Sequence, residues 1–113
     1  MTTIQYLACV SETQNYTDID AYVSDLAMSS IWEDAEEAEI PADRIEDLRA
    51  IFTAANRSIK QIAAAAGMSM NKLADRFAIP RRTVENWSAG VRTPSLWELL
   101  VIQEALGLLK VTR

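Results

Sequence analysis

The feature that most constrains this chain is its punctuation. Between Ser58 and Gly107 the signals that start and stop helices recur at short intervals, and all three glycines of the chain fall here, at 67, 90 and 107. Ser58 with Gln61 forms a capping-box pair, in which a hydroxyl and an amide each satisfy a backbone N–H that the helix leaves unpaired. The helix "IKQIAAAA" follows, and Gly67 stops it, because a left-handed backbone costs glycine almost nothing. Ser69 caps "MNKLADRFA", whose Leu73, Ala74 and Phe77 form the buried side. Pro80 biases Ile79 away from helical geometry, so "IP" is a tight turn before "RRTVENWSA", a helix that ends at Gly90. Ser95 and Glu98 form a further capping box after Pro94 and open "LWELLVIQEAL", which Gly107 terminates. Four short helices are therefore predicted, joined by turns too short to contain anything else.

The first half is punctuated more sparsely. "TIQYLACV", residues 3–10, alternates loosely and contains β-formers, which leaves a short strand, a disordered lead-in and a helical turn all open. Thr17 and Asp20 read as a capping pair for a helix over 18–29, with Ile19, Tyr22, Val23 and Leu26 at helical spacing. "EDAEEAEIP" is a run of carboxylates ending at Pro41, whose fixed φ suits a first turn and whose acids suit the positive end of a helix dipole. Ile45, Leu48, Ile51, Phe52 and Ala55 then make one apolar stripe over 41–56, with Asn56 and Arg57 as the break. The expected fold class is all-α: a compact bundle of five to six helices, with an acidic extension over 1–57 and a second domain over 58–113.

Composition narrows the function. A chain of 113 residues holds one compact domain plus an appendage. No apolar run approaches the roughly 20 residues of a membrane span, and "MTTIQY" lacks a basic segment followed by a hydrophobic one, so a soluble, cytoplasmic protein is expected. Cys9 is the one cysteine and histidine is absent. An internal disulfide and a Cys/His metal site are thereby excluded, and so is any nucleophile that relies on a histidine base. The acids sit mostly on what read as helix surfaces, where a solvated face is the ordinary outcome. No enzyme, no cofactor and no bound metal are expected. The net charge of −5 conceals a split: residues 1–57 carry twelve acidic against three basic side chains, and residues 58–113 carry four against eight. Phosphate affinity follows local clusters of cations more than the total, so an acidic chain can still take a nucleic-acid partner.

Two short helices joined by a tight turn, the second rich in Arg and Asn, make a helix-turn-helix, in which the first helix braces and the second enters the major groove. Ala74 is small where the two would cross, Ile79 plugs the turn, and Val84 with Trp87 faces the core. Arg81, Arg82, Glu85 and Asn86 are left outward. Over residues 58–109, "SIKQIAAAAGMSMNKLADRFAIPRRTVENWSAGVRTPSLWELLVIQEALGL" resembles the Cro/CI-type phage-repressor helix-turn-helix, also called the xenobiotic-response-element family. The matching pieces are "MS" and "LA" in the first helix of the motif, "TV", "W" and the closing "G" in the second, then "RTPSL" and "ALG". The resemblance implies a lambda-repressor-like domain that binds double-stranded DNA through helix 81–89. It places Arg81 and Arg82 at the leading base-reading positions, with Glu85 and Asn86 one turn later. Ser69 and Met70 fall at the phosphate-facing start of the preceding helix, and Arg92 in the following loop meets the backbone. The chain departs from the family at Met70, where many relatives have Gln, and at Pro80, which replaces the usual Ser or Thr cap. A second register exists, in which "SIKQIAAAAGMSMNKLADRF" itself resembles a helix-turn-helix, with Ala63 and Gly67 in the usual places and "MNKLADRF" as the reader. The later register is preferred, because it accounts for "WSAGVRTPS" and places two adjacent arginines at a helix start.

Within this scheme each arginine suits guanine, and Asn86 suits adenine or a phosphate. Glu85 either accepts from cytosine or repels phosphates and so sets the docking angle. Trp87 is assigned to packing. On the last helix Leu96, Leu99, Ile102 and Leu106 form a core stripe, while Trp97, Leu100 and Val101 lie partly beyond it. That second stripe is either covered by the acidic N-terminal helices or is the seam of a homodimer. The acidic half extends the core, competes with DNA or docks a protein partner. The function expected is a sequence-specific transcriptional regulator of the phage or mobile-element kind. The alternative is an antitoxin-like protein-interaction module with an accessory helix-turn-helix.

Overall fold

The computed structural model describes residues 1–33 and 39–112, and among these it contains seven α-helices, one short 3-10 turn and no strand. The all-α class is therefore the observed one. None of the helices among the described residues is long and apolar enough to cross a membrane. The chain divides into two compact units, one formed by Met1–Ala55 with the residues from Lys110 onward, the other by Asn56–Leu109.

The first unit contains α1 (Thr3–Glu12), the 3-10 turn Thr13–Asn15, α2 (Ile19–Ala27) and α3 (Ala42–Ala55). Helix α1 is the seventh helix, one more than the five to six expected. The Thr2 hydroxyl accepts from the Gln5 amide N–H at 3.1 Å and the Gln5 side chain accepts from Thr2 at 2.8 Å, a reciprocal box that nucleates the turn. Its buried residues Tyr6, Cys9 and Val10 recur at three and four positions, a helical period that the β-formers of this segment mask. At the start of α2 the cap is Asp18, not the expected Thr17: its carboxylate accepts from Ala21 N–H at 3.0 Å. Asp20 instead faces outward to pair with Arg49 at 3.2 Å. The expected carboxylates Asp34, Glu36 and Glu37 before α3 lie outside the described residues.

Helices α1 and α2 both pack on α3. Tyr22, fully buried, donates its hydroxyl to the Cys9 carbonyl at 2.7 Å and lies 4.9 Å from the Phe52 ring. Trp32 donates Nε1–H to the Leu26 carbonyl at 2.8 Å, and the Arg44 guanidinium lies 4.2 Å from the Trp32 ring centroid. Asp47, buried in α3, accepts from the Thr112 N–H through both oxygens at 3.1 Å, and the Met1 ammonium donates to the Thr112 carbonyl. These bonds hold Thr112 in the first unit.

The second unit contains α4 (Ile59–Ala65), α5 (Met70–Phe77), α6 (Arg81–Ala89) and α7 (Leu96–Ala105). The four helices predicted here all form. They end in one way: a residue with positive φ (Gly67 69°, Ala78 52°, Gly90 75°, Gly107 73°) is followed by an N–H that reaches back to a carbonyl near the helix end. Met68 bonds Ala63, Ile79 bonds Ala74, Val91 bonds Asn86 and Leu108 bonds Gln103, all at 2.9 to 3.0 Å. Buried Gln103 is satisfied in turn: Nε2 donates to the Leu99 carbonyl at 3.1 Å, and Oε1 accepts from Arg57 at 3.1 Å.

Two predictions follow from this architecture. Ala78 is the one non-glycine at a left-handed position among the described residues, so Ala78→Gly relieves a steric cost. It is expected to raise stability by about 0.5–1 kcal/mol, read as a higher urea midpoint at unchanged slope. Burial, with the Asp47 charge nearby, pushes the Cys9 thiol from 9.0 up to about 11. The folded state thus holds that proton more tightly than the unfolded chain. The stabilisation is present in full below pH 9.0 and is lost as pH rises through about 11. Cys9 in the native protein should resist a thiol-alkylating reagent at pH 8, and react once urea unfolds the chain.

Candidate nucleic-acid interface

Two side chains hold α6. Val84 and Trp87, 3% and 7% exposed, sink into a cluster formed with Ile59, Ile62, Ala63, Leu73, Ala74 and Ile102. Ala74, on the α5 side of the crossing, has no bulk to hold the helices apart, and α5 packs closely on α6. Ile79 in the turn is half-buried and lies against the same cluster. Since Val84 and Trp87 are three residues apart, they mark one side of the helix. Arg82, Glu85 and Ala89 occupy the other, Arg81 lies on the flank beside them, and all four are exposed.

The start of α6 differs from the starts of its neighbours. Thr2, Asp18, Ser58, Ser69 and Ser95 each cap a helix with a side-chain oxygen. Pro80, at φ −55° and ψ 137°, precedes α6 with no such bond, and the first turn of α6 holds no acid. It holds Arg81 and Arg82 instead, cations at the positive end of the helix dipole, where they lower helix stability. Among the described residues neither arginine takes part in an ion pair or hydrogen bond, whereas Arg44 stacks on Trp32, Arg49 pairs with Asp20 and Arg57 donates to Gln103.

The other residues singled out from the sequence divide. Asn86 is half-buried at the edge of the outward face. Its side lines a hollow of about 250 Å³ with Thr83, Arg92 and Glu98, so the structure brings Asn86 and Arg92 together. The Asn86 carbonyl also accepts from Val91 and Arg92 N–H, at 3.0 and 3.4 Å, which ties the Arg92 loop to the end of α6. Ser69 is exposed at the start of α5, its hydroxyl accepting from Lys72 N–H at 3.2 Å. Met70 was expected to face phosphate; it is half-buried and packs on the apolar cluster, as an unbranched thioether with no strong donor does when core surface is within reach.

Sequence reasoning missed Lys60. It is exposed in the first turn of α4 and, with Ser58 and Arg92, lines a second hollow of about 460 Å³. Nothing in the linear spacing of residues 60 and 92 signals this. On the flank of α6 that carries Thr83, a third hollow of about 550 Å³ is lined by Ile79, Trp97 and Val101. Trp97 and Val101 are 42% and 59% exposed, whereas Leu100 is buried, a split of the expected second stripe of α7.

Searches against models of known protein families, against curated proteins and against solved structures found no match to this chain.

The orientation of the outward face rests on Trp87. Trp87→Ala should cost about 3–5 kcal/mol in urea denaturation, while Trp97→Ala, at an exposed position, should cost far less. Equal losses would show that Trp87 is not the anchor.

Proposed function

We propose that the chain is a sequence-specific DNA-binding regulator in which α6 enters the major groove, with Arg81 and Arg82 reading bases and Arg92 and Lys60 meeting phosphates. The observation that carries this reading is the start of α6: two unpaired arginines stand where the helix dipole disfavours them, with no side-chain cap to compensate. Local rules of helix design are broken mainly where function requires it. A planar guanidinium with five donors matches the N7 and O6 acceptors of guanine, and an unpaired one needs no intramolecular bond broken before it binds.

The same comparison favours α6 over α5 as the reader. Helix α5 has a side-chain cap at Ser69 and a basic residue, Arg76, in its last turn, both favourable. Its own departures, a single cation in the first turn at Lys72 and the left-handed Ala78 at its end, leave its start capped. The charge of the second unit agrees: residues 56–109 carry seven Lys and Arg against four Asp and Glu. In this reading bound protein acts by occupancy, blocking or recruiting polymerase. A second reading, a protein-interaction module, draws on the first unit, where Ile4 and Met28 are 80% and 72% exposed on an acidic body. Co-purification of a stoichiometric partner without DNA affinity would favour it.

Selection of bound duplexes from a random pool tests the first reading. Arg81→Ala and Arg82→Ala should each cost about 1–3 kcal/mol of discrimination. Each should also leave the fold equally stable or raise its stability by about 0.3–1 kcal/mol, because a cation leaves the positive end of the dipole. Lys60→Ala should weaken all duplexes uniformly and lessen the salt dependence by about one phosphate contact. Unchanged selection after both arginine substitutions would overturn the proposal.

A further inference from the structure

Glu85 stands at the centre of the outward face of α6, one turn after Arg81 and Arg82 and one turn before Ala89. Side chains three and four apart on a helix are neighbours, but an acid placed C-terminal to its cation is the weaker order for a pair. Among the described residues no ion pair or hydrogen bond engages the Glu85 carboxylate. It is therefore not spent on steadying its neighbours, and it lies on the side opposite Val84 and Trp87, where the core has no use for it.

On a surface that meets DNA, a carboxylate is the hardest side chain to accommodate. Phosphates repel it, and an ionised carboxylate only accepts hydrogen bonds. The major-groove edges of the bases offer it the acceptors N7, O6 and O4 and apolar methyl and C–H groups; only the exocyclic amino groups donate. The adenine amino group is flanked by acceptors on both sides, N7 and the O4 of the paired thymine. The cytosine amino group has the O6 of its guanine on one side and a C–H on the other, so it repels the second carboxylate oxygen less.

We propose that Glu85 is a specificity-determining residue that requires cytosine at the centre of the site α6 reads, beside the guanines taken by Arg81 and Arg82, and disfavours duplexes lacking it. This rests on the reading of α6 as the base-reading helix. The mechanism has two parts. The carboxylate removes half of the positive charge that the arginines bring to this face, which lowers affinity for DNA in general. It regains favourable contact only where an amino group faces it, so discrimination comes largely from rejecting wrong sites.

The test compares the full chain with Glu85→Ala and Glu85→Gln on three sets of duplexes at one salt concentration: the selected site, the same site with each other base at the central position, and random sequence. Glu85 is exposed, so both variants should fold as the parent does, which a urea midpoint verifies. Glu85→Ala should bind random duplex more tightly and lose its cytosine preference, reducing discrimination by about tenfold. Glu85→Gln, with an amide that both donates and accepts, should shift the central preference to adenine. The guanine preferences should persist in both. If Glu85→Ala keeps the cytosine preference and the parent's affinity for random duplex, the proposal for Glu85 is overturned and the reading of α6 stands. If the parent protein binds no duplex at all, both fall together.

Discussion

Val84 and Trp87 fix the rotation of α6 about its own axis, and the outward face of the second unit follows from that one constraint. Burying two such side chains stabilises the unit by roughly 1.5–3 kcal/mol each. Rotating the helix by one residue would expose them and bring arginine toward the apolar cluster, where an unpaired charge is heavily penalised. Ala74 on α5 makes the close crossing sterically feasible, and Ile79 closes the turn beside it. The positions of Arg81, Arg82, Glu85 and Ala89 are thus consequences of packing and not of their own interactions, of which the described residues show none for the three charged ones.

Helix ends supply the other half of the logic. Four helices of seven to ten residues are too short to be stable alone, and here each is bounded at its end by a left-handed residue and a backbone bond back into the last turn. Capping side chains do the same at most of the starts. Against that consistency the entry to α6 stands out, since Pro80 offers no side-chain oxygen and two cations occupy the turn that favours acids. The local penalty is small and is borne by the tertiary contacts of Val84 and Trp87. A helix start that is uncapped, cationic and still folded has donors left for something outside the chain.

The first unit follows a different pattern. Its buried polar groups are committed internally: Tyr22 to the Cys9 carbonyl, Trp32 to the Leu26 carbonyl, and Asp47 to Thr112. Arg44 is stacked and Arg49 paired, so both arginines of α3 are engaged in the structure of this unit. The acids among its described residues are largely solvated. Arginine is thus used structurally at Arg44 and Arg49 in the first unit and at Arg57 in the second, and stands unpaired at the start of α6.

The sequence by itself determined the helices of the second unit, because caps, glycines and prolines act within a few residues and their chemistry is visible in the linear string. Ser58, Ser69 and Ser95 cap where predicted, and Val84, Trp87 and Leu73 are buried where the periodicity puts them. It did not determine α1, since β-forming residues there obscured a capping box at Thr2 and Gln5 that only packing against α3 makes decisive. Nor did it determine that Met70 packs on the apolar cluster or that Lys60 arrives beside Arg92. Those depend on which surfaces meet after the helices pack, a matter of distances between residues far apart in the chain, and local propensity carries no information about them.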